Sequence, residues 1–149
     1  MTYQSIIVGT DGSATAELAV RQAGRLAAAS GARLIVVTAY EAAGDELVEK
    51  ERSTPDDMKW LLTDLSQAEE RARLGREQAQ EEGASGVVVK AIEGSPTDVV
   101  IGAAGDFDAD LIVVGSKGLT SPARFVLGSV ASSVSHHAPC DVLIVHTTG

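Results

Sequence analysis

Residues 112–130 read IVVGSKGLTSPARFVLGSV, and the fold turns on this stretch. An apolar run from Ile112 to Val114 ends at Gly115, Gly118 follows after two residues, and after nine more come Gly128 and Ser129, where an amphipathic helix begins. The pattern is G-x-x-G-x9-G-S, a strand, a glycine-bearing loop and a helix. Glycine lets a backbone take positive φ and approach a ligand with no Cβ in between, as cradling a phosphate with main-chain N–H groups requires. A helix capped by Ser129 would aim its unpaired N–H groups and the positive end of its dipole at the loop, favouring an anion there. Lys117 and Arg124 add positive charge nearby. Three glycines and a serine also suffice for an ordinary strand-to-helix turn, so the remaining chain has to decide. Neither G-x-x-x-x-G-K-[ST] nor G-x-G-x-x-G after a strand occurs, which excludes two other nucleotide loops.

Working outward, short apolar runs alternate with helical patterns along the whole chain. Ser5 to Thr10 reads as strand one, broken by the turn signal Asp11-Gly12-Ser13. Helix one spans about 14–30, with Leu18, Ala19, Ala23, Leu26 and Ala27 on one face and Gly31 at its C′ position. Strand two is Ala32 to Tyr40, so the first 40 residues form a βαβ unit. A polar connection follows, Glu41 to Asp57, long enough to be a surface flap. A long helix over 56–82 carries Met58, Leu61, Leu62, Leu65, Ala68, Ala72 and Ala79 at helical spacing, with Trp60 off that stripe. Strand three is Val87 to Ile92. Ser95-Pro96-Thr97-Asp98 then opens a helix, with Ser as N-cap, Pro at the first position and Asp at the third. Strand four is Asp110 to Gly115 and strand five Asp141 to His146.

Strands alternating with helices predict an α/β domain over 1–149, an open five-stranded parallel sheet wrapped on both faces in a Rossmann-like arrangement. In such sheets ligands bind beyond the carboxyl ends of the strands, where the strand order reverses. With the order 3-2-1-4-5, Asp11 and Gly115 face each other across that crevice.

Composition agrees. The 149 residues suit one domain that buries roughly 70% of its unfolded surface. Hydrophobic residues make up 44% and aromatics only 3%, so Ala, Val, Ile and Leu must build the core, as in buried parallel sheets. A net charge of -9 makes nucleic acid and anionic membranes poor partners. The single cysteine, Cys140, excludes an internal disulfide and suits a reducing compartment, and no signal or membrane-spanning pattern occurs. A cytoplasmic protein is expected.

Three segments, VGTDGS at 8–13, GSKG at 115–118 and LGSV at 127–130, together resemble the nucleotide-binding branch of the universal stress protein family. The resemblance covers nearly the whole chain. It implies that Gly115, Gly118, Gly128 and Ser129, with Ser116, Lys117, Arg124 and Val130 around them, hold the ribose and phosphates of an adenine nucleotide. It also implies that Asp11 is the family's first-strand aspartate. The adenine is expected against the end of strand two, at Thr38 or Ala39, with contacts largely through the backbone, and with Thr10 beside Asp11. Lys117 stands where the family often has Arg or His, and Pro122 stiffens the loop.

The implied ligand is ATP, with cyclic AMP as the alternative and an empty interaction module as a third reading. Asp11 would repel phosphates unless it holds ribose hydroxyls or a magnesium ion bridging to them; otherwise it is a turn residue bonding its own backbone. Catalysis is expected to be absent or confined to slow ATP hydrolysis, since no G-x-S-x-G elbow occurs and no histidine lies near Ser13 or Ser129 in this topology. His136, His137 and Cys140 do not read as a metal site, because adjacent helical residues point about 100° apart. A homodimer is expected through the apolar edge of strand five, Val142, Leu143, Ile144 and Val145, which would otherwise expose unpaired backbone.

Overall fold

The computed structural model describes residues 3–41, 59–116 and 128–147. Five parallel strands, β1 (Ser5–Gly9), β2 (Arg33–Tyr40), β3 (Val88–Glu93), β4 (Leu111–Gly115) and β5 (Asp141–Val145), form one sheet in the order β3-β2-β1-β4-β5. Between them run α1 (Ala14–Ser30), α2 (Lys59–Glu81), α3 (Pro96–Asp106) and α4 (Ser129–His137). Architecture and strand order are those expected, with strand ends differing by a residue or so. The polar connection falls almost wholly outside the described residues, as does Met58, and nothing is described of the Trp60 side chain.

The central strands are apolar on both sides because helices cover both. Ile6, Val8, Leu34, Val36 and Val113 face α1 and α2, whereas Ile7, Ile35, Val37, Ile112 and Val114 face α3 and α4. All ten are buried.

Helix α1 is held by small residues. It buries Ala19, Val20, Ala23, Gly24 and Ala27, and Gly31 terminates it at φ 72, the left-handed conformation that favours glycine. Leu18, expected on the core face, is instead 48% exposed. The small face lets α2 approach closely, and a leucine at the flank is left outside. Across that seam Arg21, which also pairs with Glu17 of its own helix, reaches Glu81 and Glu82, and Arg25 reaches Glu82. Among the described residues no helix is long and apolar enough to cross a membrane.

Candidate functional site

In a parallel sheet every strand-to-helix turn falls at the carboxyl edge, so the starts of α1, α3 and α4 gather at one end of β1, β2 and β4. They enclose a cavity of about 750 Å³. Its floor is formed by Gly9, Val37, Ala39, Val114 and Gly115, and its rim by the three helix starts. Asp11 is the one ionisable residue among the described walls.

The three helix starts differ in how their free N–H groups are used. In α1, Ser13 is the N-cap: its Oγ accepts from Ala16 N at 3.1 Å, and Glu17 N donates to Ser13 O at 3.0 Å. In α3, Ser95 Oγ accepts from Asp98 N at 3.3 Å, and Pro96 has no N–H to offer. In α4 the N-cap is Gly128, which has no side chain to bond, and Ser129 is the first helical residue. Ser129 is therefore not the cap that its position suggested. Among the described residues no side chain caps the first-turn N–H groups of α4, and Gly128 to Ala131 line the cavity, where an anion would complete them.

Asp11 follows β1 as an exposed turn residue. Its Oδ1 accepts from Ser13 N at 2.9 Å, and Gly12 takes φ 81 to make the turn. The turn reading of Asp11 is thus present in the structure, and its carboxylate still lines the cavity. Thr10 N donates to Val37 O at 3.0 Å, carrying the β1–β2 ladder one step past the strand end.

The sequence profile of the universal stress protein family matches residues 2–146. The chain belongs to that family. Universal stress protein Rv1636 of Mycobacterium tuberculosis H37Rv is 37% identical over 146 residues, which cover 98% of each chain. A putative universal stress protein of Staphylococcus saprophyticus, SSP1056, is 33% identical over 99% of this chain and 86% of its own. Among solved structures, a universal stress protein in complex with cAMP is 36% identical, with TM-score 0.72, over 99% of this chain and 100% of that one. The Archaeoglobus fulgidus universal stress protein in complex with dAMP is 26% identical, with TM-score 0.69, over 97% of this chain and 98% of that one.

With the family in place, the expected site residues can be located. Thr10, Asp11, Ala39, Gly115, Gly128, Ser129 and Val130 all line the cavity. Thr38 does not. Alternation along β2 points Val37 and Ala39 toward α3 and α4, and Thr38 toward α1 and α2, where it is buried with Oγ1 unpaired among the described residues. Ser116 is also off the walls: buried, it uses Oγ to accept from Thr147 N at 3.1 Å and to bond Thr147 Oγ1. Its carbonyl receives Gly128 N at 2.7 Å and its N–H donates to Val145 O at 2.8 Å, so Ser116 pins the start of α4 and the end of β5 to β4. Lys117, Gly118 and Arg124 lie outside the described residues.

The sequence reading missed Ser13, Thr15 and Ala16 of α1 and Ser95, Pro96 and Thr97 of α3, all on the walls. The signal for the second group was available. Ser95-Pro96-Thr97-Asp98 was legible as a helix start after a parallel strand, and the expected strand order puts that turn at the same sheet edge.

Among the described residues no group of three His, Cys, Asp or Glu side chains is placed to hold a metal ion. His136 and His137 occupy the last turn of α4, with ring centroids 6.3 Å apart.

Proposed function

We propose that this member of the universal stress protein family binds an adenine nucleotide bearing one phosphate, with cyclic AMP as the ligand the site fits best. The observation that carries this is the start of α4, which has no capping side chain among the described residues and lines a cavity whose described walls are otherwise apolar, hydroxyl-bearing or acidic. One phosphate satisfies the open N–H groups. A triphosphate brings several more negative charges past Asp11, each costly at short range. The solved relative complexed with cAMP, similar along its whole length, favours the same choice. The earlier expectation of ATP therefore becomes the second reading.

That second reading keeps one specific observation, the Asp11 carboxylate on the cavity wall. With magnesium, Asp11 would turn from a repulsive group into an indirect phosphate anchor.

Calorimetry with cyclic AMP, AMP and ATP, with and without magnesium, separates the readings. Cyclic AMP should bind independently of magnesium. Tight ATP binding that needs magnesium and is lost in Asp11→Ala would reverse the choice, and no binding of any of the three would leave an interaction module. The rest of the reading is a cytoplasmic homodimer paired through β5 with no dedicated catalysis.

A further inference from the structure

We propose that Thr147 is a positioning residue for this site: through Ser116 it fixes the start of α4, so that the first-turn N–H groups are held in place and still left for an anion. The proposal rests on the nucleotide reading above. Thr147 is buried and does not line the cavity, so its action is indirect. A helix start has two needs, partners for its first N–H groups and something to hold a turn that otherwise frays. A capping side chain meets both at once. It does so in α1 and α3, where Ser13 Oγ accepts from Ala16 N and Ser95 Oγ from Asp98 N. At α4 the two needs are separated. Gly128 offers no side chain, and the turn is held through the backbone instead, Gly128 N donating to Ser116 O at 2.7 Å.

That bond is only as firm as Ser116. The segment after β5 grips it: Ser116 N donates to Val145 O at 2.8 Å, Thr147 N donates to Ser116 Oγ at 3.1 Å, and the Ser116 and Thr147 hydroxyls bond each other at 3.1 Å. Both residues are buried, so water does not compete for these bonds. Thr147 lies 31 residues from Ser116 and past the end of β5 at Val145, outside the glycine pattern that marks the loop. The arrangement supplies pre-organisation. An anion that meets a turn already held in place does not have to order it on binding. When the Thr147 hydroxyl is lost, Ser116 and the Gly128 bond loosen together, and a phosphate then binds a more mobile turn.

The test is a cycle between residue and ligand, read by calorimetry with cyclic AMP and with adenosine, which lacks the phosphate. Thr147→Val keeps the shape and removes the hydroxyl. It should weaken cyclic AMP by roughly two- to twelvefold, the span of one neutral hydrogen bond, and leave adenosine as in wild type. Thr147→Ser should restore cyclic AMP binding. Ser116→Ala removes the shared acceptor from the other side and should show the same selective loss, which keeps the test open if the valine variant does not fold. In the ligand-free protein, amide hydrogen exchange in the first turn of α4 should be faster in Thr147→Val than in wild type. Unchanged cyclic AMP affinity and exchange, or an equal loss for both ligands, would overturn the positioning role and leave the nucleotide site standing. Wild type that binds cyclic AMP no better than adenosine would remove the phosphate from this helix start, and the role with it.

Discussion

Gly24 of α1 packs directly on the backbone of Ala79 in α2: a Cβ on Gly24 would lie 2.8 Å from the Ala79 carbonyl oxygen and 2.9 Å from its Cα. Backbone atoms cannot swing away as a flexible side chain can, so the two helices would have to separate. Gly24→Ala should therefore destabilise the fold by about 1–3 kcal/mol through overpacking, although alanine is intrinsically the better helix former by about 1 kcal/mol. Gly102 in α3 is the counterpart, with nothing among the described residues within 4 Å of its added Cβ. Gly102→Ala should stabilise by roughly 0.5–1 kcal/mol. Urea unfolding of both variants measures the contrast, and equal shifts of one sign would contradict it.

Asp110 joins the amino ends of β4 and β1, its carboxylate accepting from Gln4 N at 2.9 Å and Ser5 N at 3.0 Å. Burial would raise its pKa, but the bonds from the backbone of Gln4, Ser5 and Asp110 itself outweigh burial and hold the carboxyl below its ordinary 3.8. A depressed folded pKa means the stabilisation is fully present above the unfolded value and disappears as pH falls through the folded one. Asp110→Asn should cost about 1 kcal/mol at neutral pH, solvent screening keeping it modest. The gap to wild type should narrow below about pH 4. Melting curves from pH 2 to 7 decide this; a gap that widens in acid would be the wrong sign.

Gly128 has φ −60 and ψ 161, a conformation open to any residue. Gly128→Asp places a carboxylate about 4 Å from the proposed phosphate, costing on the order of 4 kcal/mol at an effective dielectric near 20, or roughly a thousandfold in affinity. The fold should tolerate it, since Asp is a favoured N-cap. Gly128→Ala reports the steric contribution alone. Wild-type cyclic AMP affinity in the Asp variant would remove the phosphate from this helix start.

Cys140 is partly buried, and burial, with Asp141 and Asp110 nearby, pushes its thiol pKa up. Less thiolate at a given pH means slower attack. Titration with a chromogenic disulfide at pH 8 should be slow in the folded protein and fast in urea. Equal rates in both states would show that the environment does not restrain the thiol.

The two sheet edges differ. β3 carries the exposed charged residues Lys90 and Glu93, which discourage edge pairing, whereas Val142 to Val145 of β5 are uncharged and partly buried. Sedimentation equilibrium at tens of micromolar should therefore find a two-fold dimer, and an Ile144→Lys variant should shift it toward monomer. A wild-type monomer would refute the pairing.

Local patterning determined much of this protein. Buried parallel strands and small-residue helices have distinct periods, and Gly31, Pro96 and the glycines at 115 and 128 mark where one gives way to the other. The strand order and the facing positions of Asp11 and Gly115 followed from alternating strands and helices, because that pattern leaves few topologies. Tertiary structure alone decided which side chains reach the cavity. Thr38 and Ala39 are neighbours in sequence, but the strand's two-residue period sends them to opposite faces, and only the layering of helices says which face holds the site. Ser116 sits inside the glycine motif, yet its hydroxyl is claimed by Thr147, 31 residues away. Thr97 joins the wall because Gly94 is bonded to Tyr40 across strands distant in the chain. Local sequence sets φ, ψ and periodicity, whereas the direction a side chain faces and the partner it meets depend on what the rest of the chain packs against it.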